Sequence, residues 1–271
     1  MAAIQSESRF VWKLIFQILI TPFTLILLLF GKRKLGDLFR PFTDIIKFLF
    51  EAKFAIAMIT VNVTVYFISL YLSKDVINSL IHYPINIFSV KAYTLITSGF
   101  LHANLSHLVL NMVGIFIFSR VVERKLGIGK TALVYFCALI ISNVFSSVIH
   151  IFILGTNVGA VGASGALMGL VATAILIDPF YITHELIMPL PVMVVGWLTI
   201  YADISGILNP VEDGIGHFAH LGGFISIAII MYLLGVEDRK KLKKGFIMNI
   251  VSLLLLVLAY FYLIPYIKIL F

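Results

Sequence analysis

Apolar stretches of about twenty residues, recurring along the whole chain with short polar or basic connections, constrain this protein more than any other feature. Such a stretch, wound as a helix, crosses the roughly 30 Å hydrocarbon layer of a bilayer. Lipid offers the backbone no hydrogen bonds, so each stretch must satisfy its own amides as a helix does. Seven stretches read as spans, at 54–72, 104–122, 131–154, 163–177, 186–207, 217–234 and 246–264. An eighth, 10–30, is interrupted by Thr21-Pro22 and has Arg9 and Lys13 on one side and Gly31-Lys32-Arg33-Lys34 on the other. Positive charge at both ends does not orient it, so a full span and a broken or interfacial helix both stay open. A cleaved leader is not expected, because no small-residue cleavage site precedes the basic cluster.

Composition agrees and excludes the alternatives. Only 12% of residues are charged, against roughly 25% in an ordinary globular chain, and the mean hydropathy is +1.08. The fold class is therefore all-α, a polytopic membrane helical bundle. The net charge of +7 does not read as a nucleic-acid surface, since the basic residues sit in short clusters beside apolar stretches, the pattern of membrane topology. The lone cysteine, Cys137, rules out a disulfide within one chain and a cysteine zinc cluster, and reads as a packed thiol.

The strongest basic clusters, Glu123-Arg124-Lys125 with Lys130 and Arg239-Lys240-Lys241 with Lys243-Lys244, belong on the cytoplasmic side. Counting spans from them puts the basic linker of Arg40, Lys47 and Lys53 inside and the 73–100 connection outside. That connection is long for structureless loop, so part of it should fold against the membrane surface. The division is 1–50, a hydrophobic segment and basic linker; 51–236, a six-helix core; and 237–271, a basic loop and an additional helix.

The same count brings Ser164 and His220, each near the start of its stretch, to the outer leaflet. Polar groups are costly in lipid and mark function there. A serine hydroxyl needs a base within hydrogen-bond reach to act as nucleophile, and histidine is the side chain that supplies one near neutral pH. Gly162 and Gly165 flank the serine and let backbone approach closely at a helix start, where free N–H groups face a developing oxyanion. Gly222-Gly223 follow His220 and allow close helix contact. His107 and Asn111, four residues apart, share one face of a third helix that also starts outside. Two such donors could hold an oxyanion, each worth on the order of 3 kcal/mol in the transition state. A plain helix–helix hydrogen bond is worth about 0.6 kcal/mol.

From Tyr93 to Leu234 the chain resembles the rhomboid family of intramembrane serine proteases. The resemblance rests on Phe100-Leu101-His102, His107-x-x-x-Asn111, Val122-Glu123-Arg124-Lys125-Leu126-Gly127, Gly162-Ala163-Ser164-Gly165-Ala166 and Ala219-His220-Leu221-Gly222-Gly223, in the family's order. It implies a six-helix core, Ser164 as nucleophile, His220 as general base and then acid, and an oxyanion hole of His107, Asn111 and the Ser164 backbone amide. It further implies a structural role for His102, no acidic third member and no cofactor, membrane-protein substrates of one or several passes, and a site opening to the extracytoplasmic side. The chain departs from the family in three places. Tyr93-Thr94 stands where Trp-Arg is frequent, Met168 where an aromatic ring stacks on the histidine, and Ile227 where glycine is common. Met168 should hold the imidazole less rigidly, and Ile227 should loosen the approach of the sixth helix to the fourth.

Other constellations read differently. His184-Glu185-Leu186-Ile187-Met188 lacks the second histidine of a zinc-protease helix. His217, three residues before His220, reads as a solvated histidine at the outer mouth rather than half of a metal pair, so no metal is expected. Asp203 reads as a solvated or hydrogen-bonded interfacial carboxylate rather than a proton relay. Asp178 and Asp203 lie toward opposite ends of their helices and cannot form an aspartyl-protease pair. A transporter would show inverted repeats or buried charge. A rhomboid-like protein without activity, binding membrane clients, is the alternative function, and both Ser164 and His220 stand against it.

Overall fold

The computed structural model describes residues 7–183, 190–209 and 215–270. Helices make up nearly all of it: α1 (Glu7–Leu29), α2 (Leu35–Leu38), α3 (Arg40–Glu51), α4 (Lys53–Ser69), α5 (Lys74–Leu80), α6 (Thr94–Thr97), α7 (Leu105–Leu126) and α8 (Ile128–Ile149). They are followed by α9 (Ser164–Ile177), α10 (Val192–Leu208), α11 (His217–Ile225), α12 (Ile227–Ile230) and α13 (Val236–Leu270), with a two-residue ribbon, β1 (Ile182–Thr183) and β2 (Leu190–Pro191), between α9 and α10. Four helical stretches are long and apolar enough to cross a membrane: Arg9–Leu29, Leu105–Leu126, Ile128–Leu154 and Val236–Tyr262. The protein is an integral membrane helical bundle.

α9 is its axis. Every residue from Gly165 to Ile175 is buried, and a helix apolar on all sides belongs in the middle of a bundle. Its neighbours α7, α8, α11 and α13 present mixed faces, one buried and one carrying the exposed apolar side chains that lipid tolerates. With 14 residues, α9 is about 21 Å long and stops short of the roughly 30 Å needed to span. The missing length lies above Ser164, where 155–163 is non-helical. Irregular backbone is tolerated at such depth only where protein or water surrounds it. The first residue of this shortened central helix is thus recessed among the surrounding helices, with the non-helical 155–163 backbone leading into it.

The 73–100 connection folds into α5, α6 and 3-10 turns and packs on the backbone leading into Ser164. His82 forms a two-way backbone bridge with Ala160, and the Gly162 amide donates to the Ser98 carbonyl at 2.9 Å. His82 is also the centre of a buried polar cluster, its Nδ1 2.9 Å from Thr94 Oγ1 and its Nε2 2.9 Å from Ser147 Oγ. Tyr93, at the place of the missing Trp, anchors the same connection by donating its hydroxyl to the Ser79 carbonyl at 2.9 Å.

At the opposite end the polar residues serve packing. Arg120 is fully buried, donates to the Phe48 carbonyl at 2.8 Å and to Glu51 at 3.1 Å, and lies over the Phe48 ring. Glu123 accepts from the amides of Lys53 and Phe54. Together they clamp the 89° bend between α3 and α4, so the basic linker is a helix lying across the end of the span rather than loop. α1 is a single helix through Pro22, joined to α3 by stacked Phe10 and Phe48 and by Lys13 and Gln17 on Asp44. Asp178 pairs with Arg124 and Lys125 at this end.

α13 begins at Val236, so the basic cluster 239–244 is part of the helix rather than the expected loop, and the helix docks directly on the axis. A Cβ on Gly245 would overlap the Leu176 carbonyl. Asn249 donates to the Ile175 carbonyl at 2.7 Å and accepts from Trp197 Nε1 at 3.0 Å.

Candidate active site

Three helix starts converge on the recess. Ser164 is the first residue of α9, His107 lies in the first turn of α7 with Asn111 one turn on, and His220 lies in the first turn of α11. The α7 start is set by Asn104, whose side chain accepts from the His107 amide at 2.8 Å and caps the helix. His107 packs against His102, the two rings edge to face at 5.1 Å.

Gly162 is the meeting point. Its φ of +122° suits glycine alone, and a Cβ there would lie 2.7 Å from His107 Nε2 and 3.7 Å from Asn111 Nδ2. Both side chains therefore face the backbone two residues before the serine. Asn111 is 3% exposed and its Nδ2 has no hydrogen-bond partner among the described residues. An orphaned buried donor of this kind costs roughly 1–3 kcal/mol.

The α9–α11 contact is made backbone to backbone. A Cβ on Gly223 would overlap the Gly165 carbonyl. Gly165 follows Ser164 and Gly223 lies three residues after His220, so this contact brings the two helix starts together. The looser approach expected from Ile227 does not reach this level, since Ile227 is buried one turn further on. Met168 lines the same small cavity as His220, with Ile200, Asp203, Leu221 and Phe224.

The site contains an acidic residue after all. Asp203 of α10, 8% exposed, accepts at one carboxylate oxygen from His220 Nδ1 at 2.8 Å and from His217 Nδ1 at 2.9 Å. The expectation of no acid rests on the residues next to each motif. Asp203 is 17 positions before His220, and only the antiparallel pairing of α10 with α11 joins them. A carboxylate can only accept, so His220 carries its proton on Nδ1 and offers the Nε2 lone pair. His217 is not a solvated histidine: its side chain is 15% exposed and shares Asp203. His184, Glu185 and Pro189 lie outside the described residues, as does the start of the 186–207 stretch.

Comparison with known proteins places this arrangement. The sequence profile of the Rhomboid domain matches residues 89–237. A putative rhomboid protease of Bacillus subtilis is 31% identical over 144 residues, 53% of this chain and 69% of that protein. The mitochondrial RHOMBOID-like protein 12 of Arabidopsis thaliana is 29% identical over 158 residues, 53% of this chain and 47% of its own length. Rhomboid-like protease 3 of Toxoplasma gondii is 28% identical over 145 residues, 52% of each chain. The chain thus spans about half the length of most of these relatives, and the matched half is the one that builds the recess. With the Rhomboid profile matching more than half of its length, this chain belongs to the rhomboid family.

Proposed function

We propose that the protein is an intramembrane serine endopeptidase that cleaves transmembrane segments of single-pass or polytopic membrane proteins near the outer leaflet. The observation that carries the reading is the orphaned Asn111 amide, held with His107 against the backbone that leads into Ser164. An oxyanion formed at Ser164 would give that buried donor an acceptor.

The chemistry follows from the groups present. Ser164 Oγ attacks the scissile carbonyl while His220 Nε2 removes its proton, and Asp203 keeps the other ring nitrogen protonated and stabilises the resulting imidazolium. The tetrahedral oxyanion is held by Asn111, His107 and the Ser164 amide, which points out of the first turn of α9. Its collapse expels the amine, which takes the proton back from His220. Water, activated by the same Nε2, then releases the acyl group. The recess supplies that water, which lipid excludes, and basic clusters at the far end of the bundle favour its opening to the extracytoplasmic side. A substrate helix must unwind to expose its carbonyl, so small or helix-breaking residues near the outer end of its span favour cleavage.

The test is cleavage of a labelled transmembrane substrate by the purified protein in detergent, beside Ser164→Ala and His220→Ala. Cleavage is expected from the unaltered chain alone. Equal cleavage by Ser164→Ala would remove the serine from the mechanism, and none by any form would leave the client-binding alternative.

A further inference from the structure

The recess holds more than serine hydrolysis requires. A catalytic histidine needs one carboxylate acceptor, yet two imidazoles direct Nδ1 to the same oxygen of Asp203. His217 and His220 are three residues apart on one face of α11, and Asp203 faces them from α10. Their donor atoms all lie within 4.8 Å of one another, and no other group of three such residues is found among the described residues. The side chains of His217, His220 and Asp203 are 15%, 14% and 11% exposed, largely shielded from bulk water.

We propose that Asp203, His217 and His220 form a binding site for a borderline divalent transition metal, Zn²⁺ in type, which switches off the hydrolase. Two imidazoles and a carboxylate suit Zn²⁺ and its neighbours, not Mg²⁺ or Ca²⁺, which want all-oxygen shells. Tetrahedral bonds of about 2.0–2.1 Å put ligand atoms about 3.3 Å apart. The hydrogen-bonded contacts of 2.8 and 2.9 Å therefore need to open by only about half an ångström. Three protein ligands leave the fourth position to water.

Inhibition follows from the tautomer. Metal takes the Nδ1 lone pair of each ring, and the proton that sat on Nδ1 of His220 moves through water to Nε2. No proton is gained or lost, but Nε2 becomes a donor and can no longer accept the proton of Ser164. Asp203, now a ligand, no longer orients the ring.

The inhibitory half of the proposal rests on the protease reading, whereas binding can be measured apart from it. Co²⁺ added to Ser164→Ala, which is unable to turn over, is expected to give the visible absorption of a tetrahedral site, displaced by Zn²⁺. His217→Ala and His217→Gln, the latter keeping a hydrogen-bond donor, are expected to abolish it. In cleavage assays Zn²⁺ should inhibit the unaltered chain reversibly with EDTA. The His217 variants should still cleave but need more than about tenfold more Zn²⁺ for the same inhibition, because losing a ligand costs more than losing an outer-shell partner. No cobalt spectrum on Ser164→Ala, or equal Zn²⁺ sensitivity with and without His217, overturns the proposal. A cobalt spectrum in a chain that cleaves nothing would retain the site and overturn the protease reading instead.

Discussion

Asp203 Oδ1 and His220 Nδ1 lie 2.8 Å apart, and this contact assigns the imidazole its tautomer and its direction. Asp203→Asn keeps the shape but can donate where the carboxylate could only accept, which favours the ring with its proton on Nε2. The expected result is a fall in kcat of at least about tenfold, toward the roughly 10²–10⁴ that a general base contributes, with KM little changed. Asp203→Glu keeps an acceptor and should recover part of the loss. Equal loss in both variants, or a change in KM alone, would reduce Asp203 to a packing residue.

Asn111 invites the opposite kind of experiment, because its donor is costly in the resting protein. Asn111→Ala removes a buried unpaired amide, a saving of roughly 1–3 kcal/mol, set against a small cavity. Thermal stability should therefore hold or rise while kcat falls about 10²–10³-fold. Unfolding of the inactive variant at markedly lower temperature would show that the amide has a structural partner.

The α9–α11 contact predicts a sharp positional contrast between glycines. Gly223→Ala would drive a methyl into the Gly165 carbonyl, so the helices must separate, at about 1–3 kcal/mol for overpacking, and Ser164 and His220 move apart with them. Gly129, at the start of α8, has open space around it, with no atom within 4 Å of where a Cβ would stand. Gly129→Ala should be neutral or stabilising by up to about 1 kcal/mol. Melting temperature and cleavage rate should fall together in the first variant and in neither for the second.

What is legible in the chain is whatever is local. Apolar run length specifies the bundle, and residues adjacent to small motifs, such as Ser164 beside Gly162 and Gly165, specify the helix starts that face one another. Spacing along one helix likewise pairs His107 with Asn111. Asp203 reads as an interfacial carboxylate because nothing in its own segment, Tyr201-Ala202-Asp203-Ile204, indicates which neighbour α10 will pack against. His82 carries no signal at all in the sequence. Its partners Thr94 and Ser147 are 12 and 65 residues away, and a lone histidine in a loop has no periodicity to mark it. The short central helix, by contrast, is legible, since the stretch read at 163–177 begins within one residue of the observed start at Ser164.

His82 gives the connection over the recess a dependence on pH. The ring is 2% exposed, and burial lowers its pKa from 6.5 to about 4. The folded protein therefore holds it neutral, one ring nitrogen donating to a hydroxyl oxygen, while Thr94 and Ser147 give their own hydroxyl protons to the Lys91 and Asn143 carbonyls. In the unfolded chain it protonates near 6.5. Between those values the unfolded state binds more protons, so its contribution to stability is complete above pH 6.5 and is lost as pH falls toward 4. At about 1.4 kcal/mol per pKa unit the loss is on the order of 3 kcal/mol at most. Ser164→Ala protein in detergent should therefore melt at progressively lower temperature from pH 6.5 to 4. Adding His82→Gln should lower the melting temperature at neutral pH, because the cluster with Thr94 and Ser147 is disrupted, and should flatten the slope in the acid range. Parallel pH profiles for the two proteins would place the acid sensitivity elsewhere.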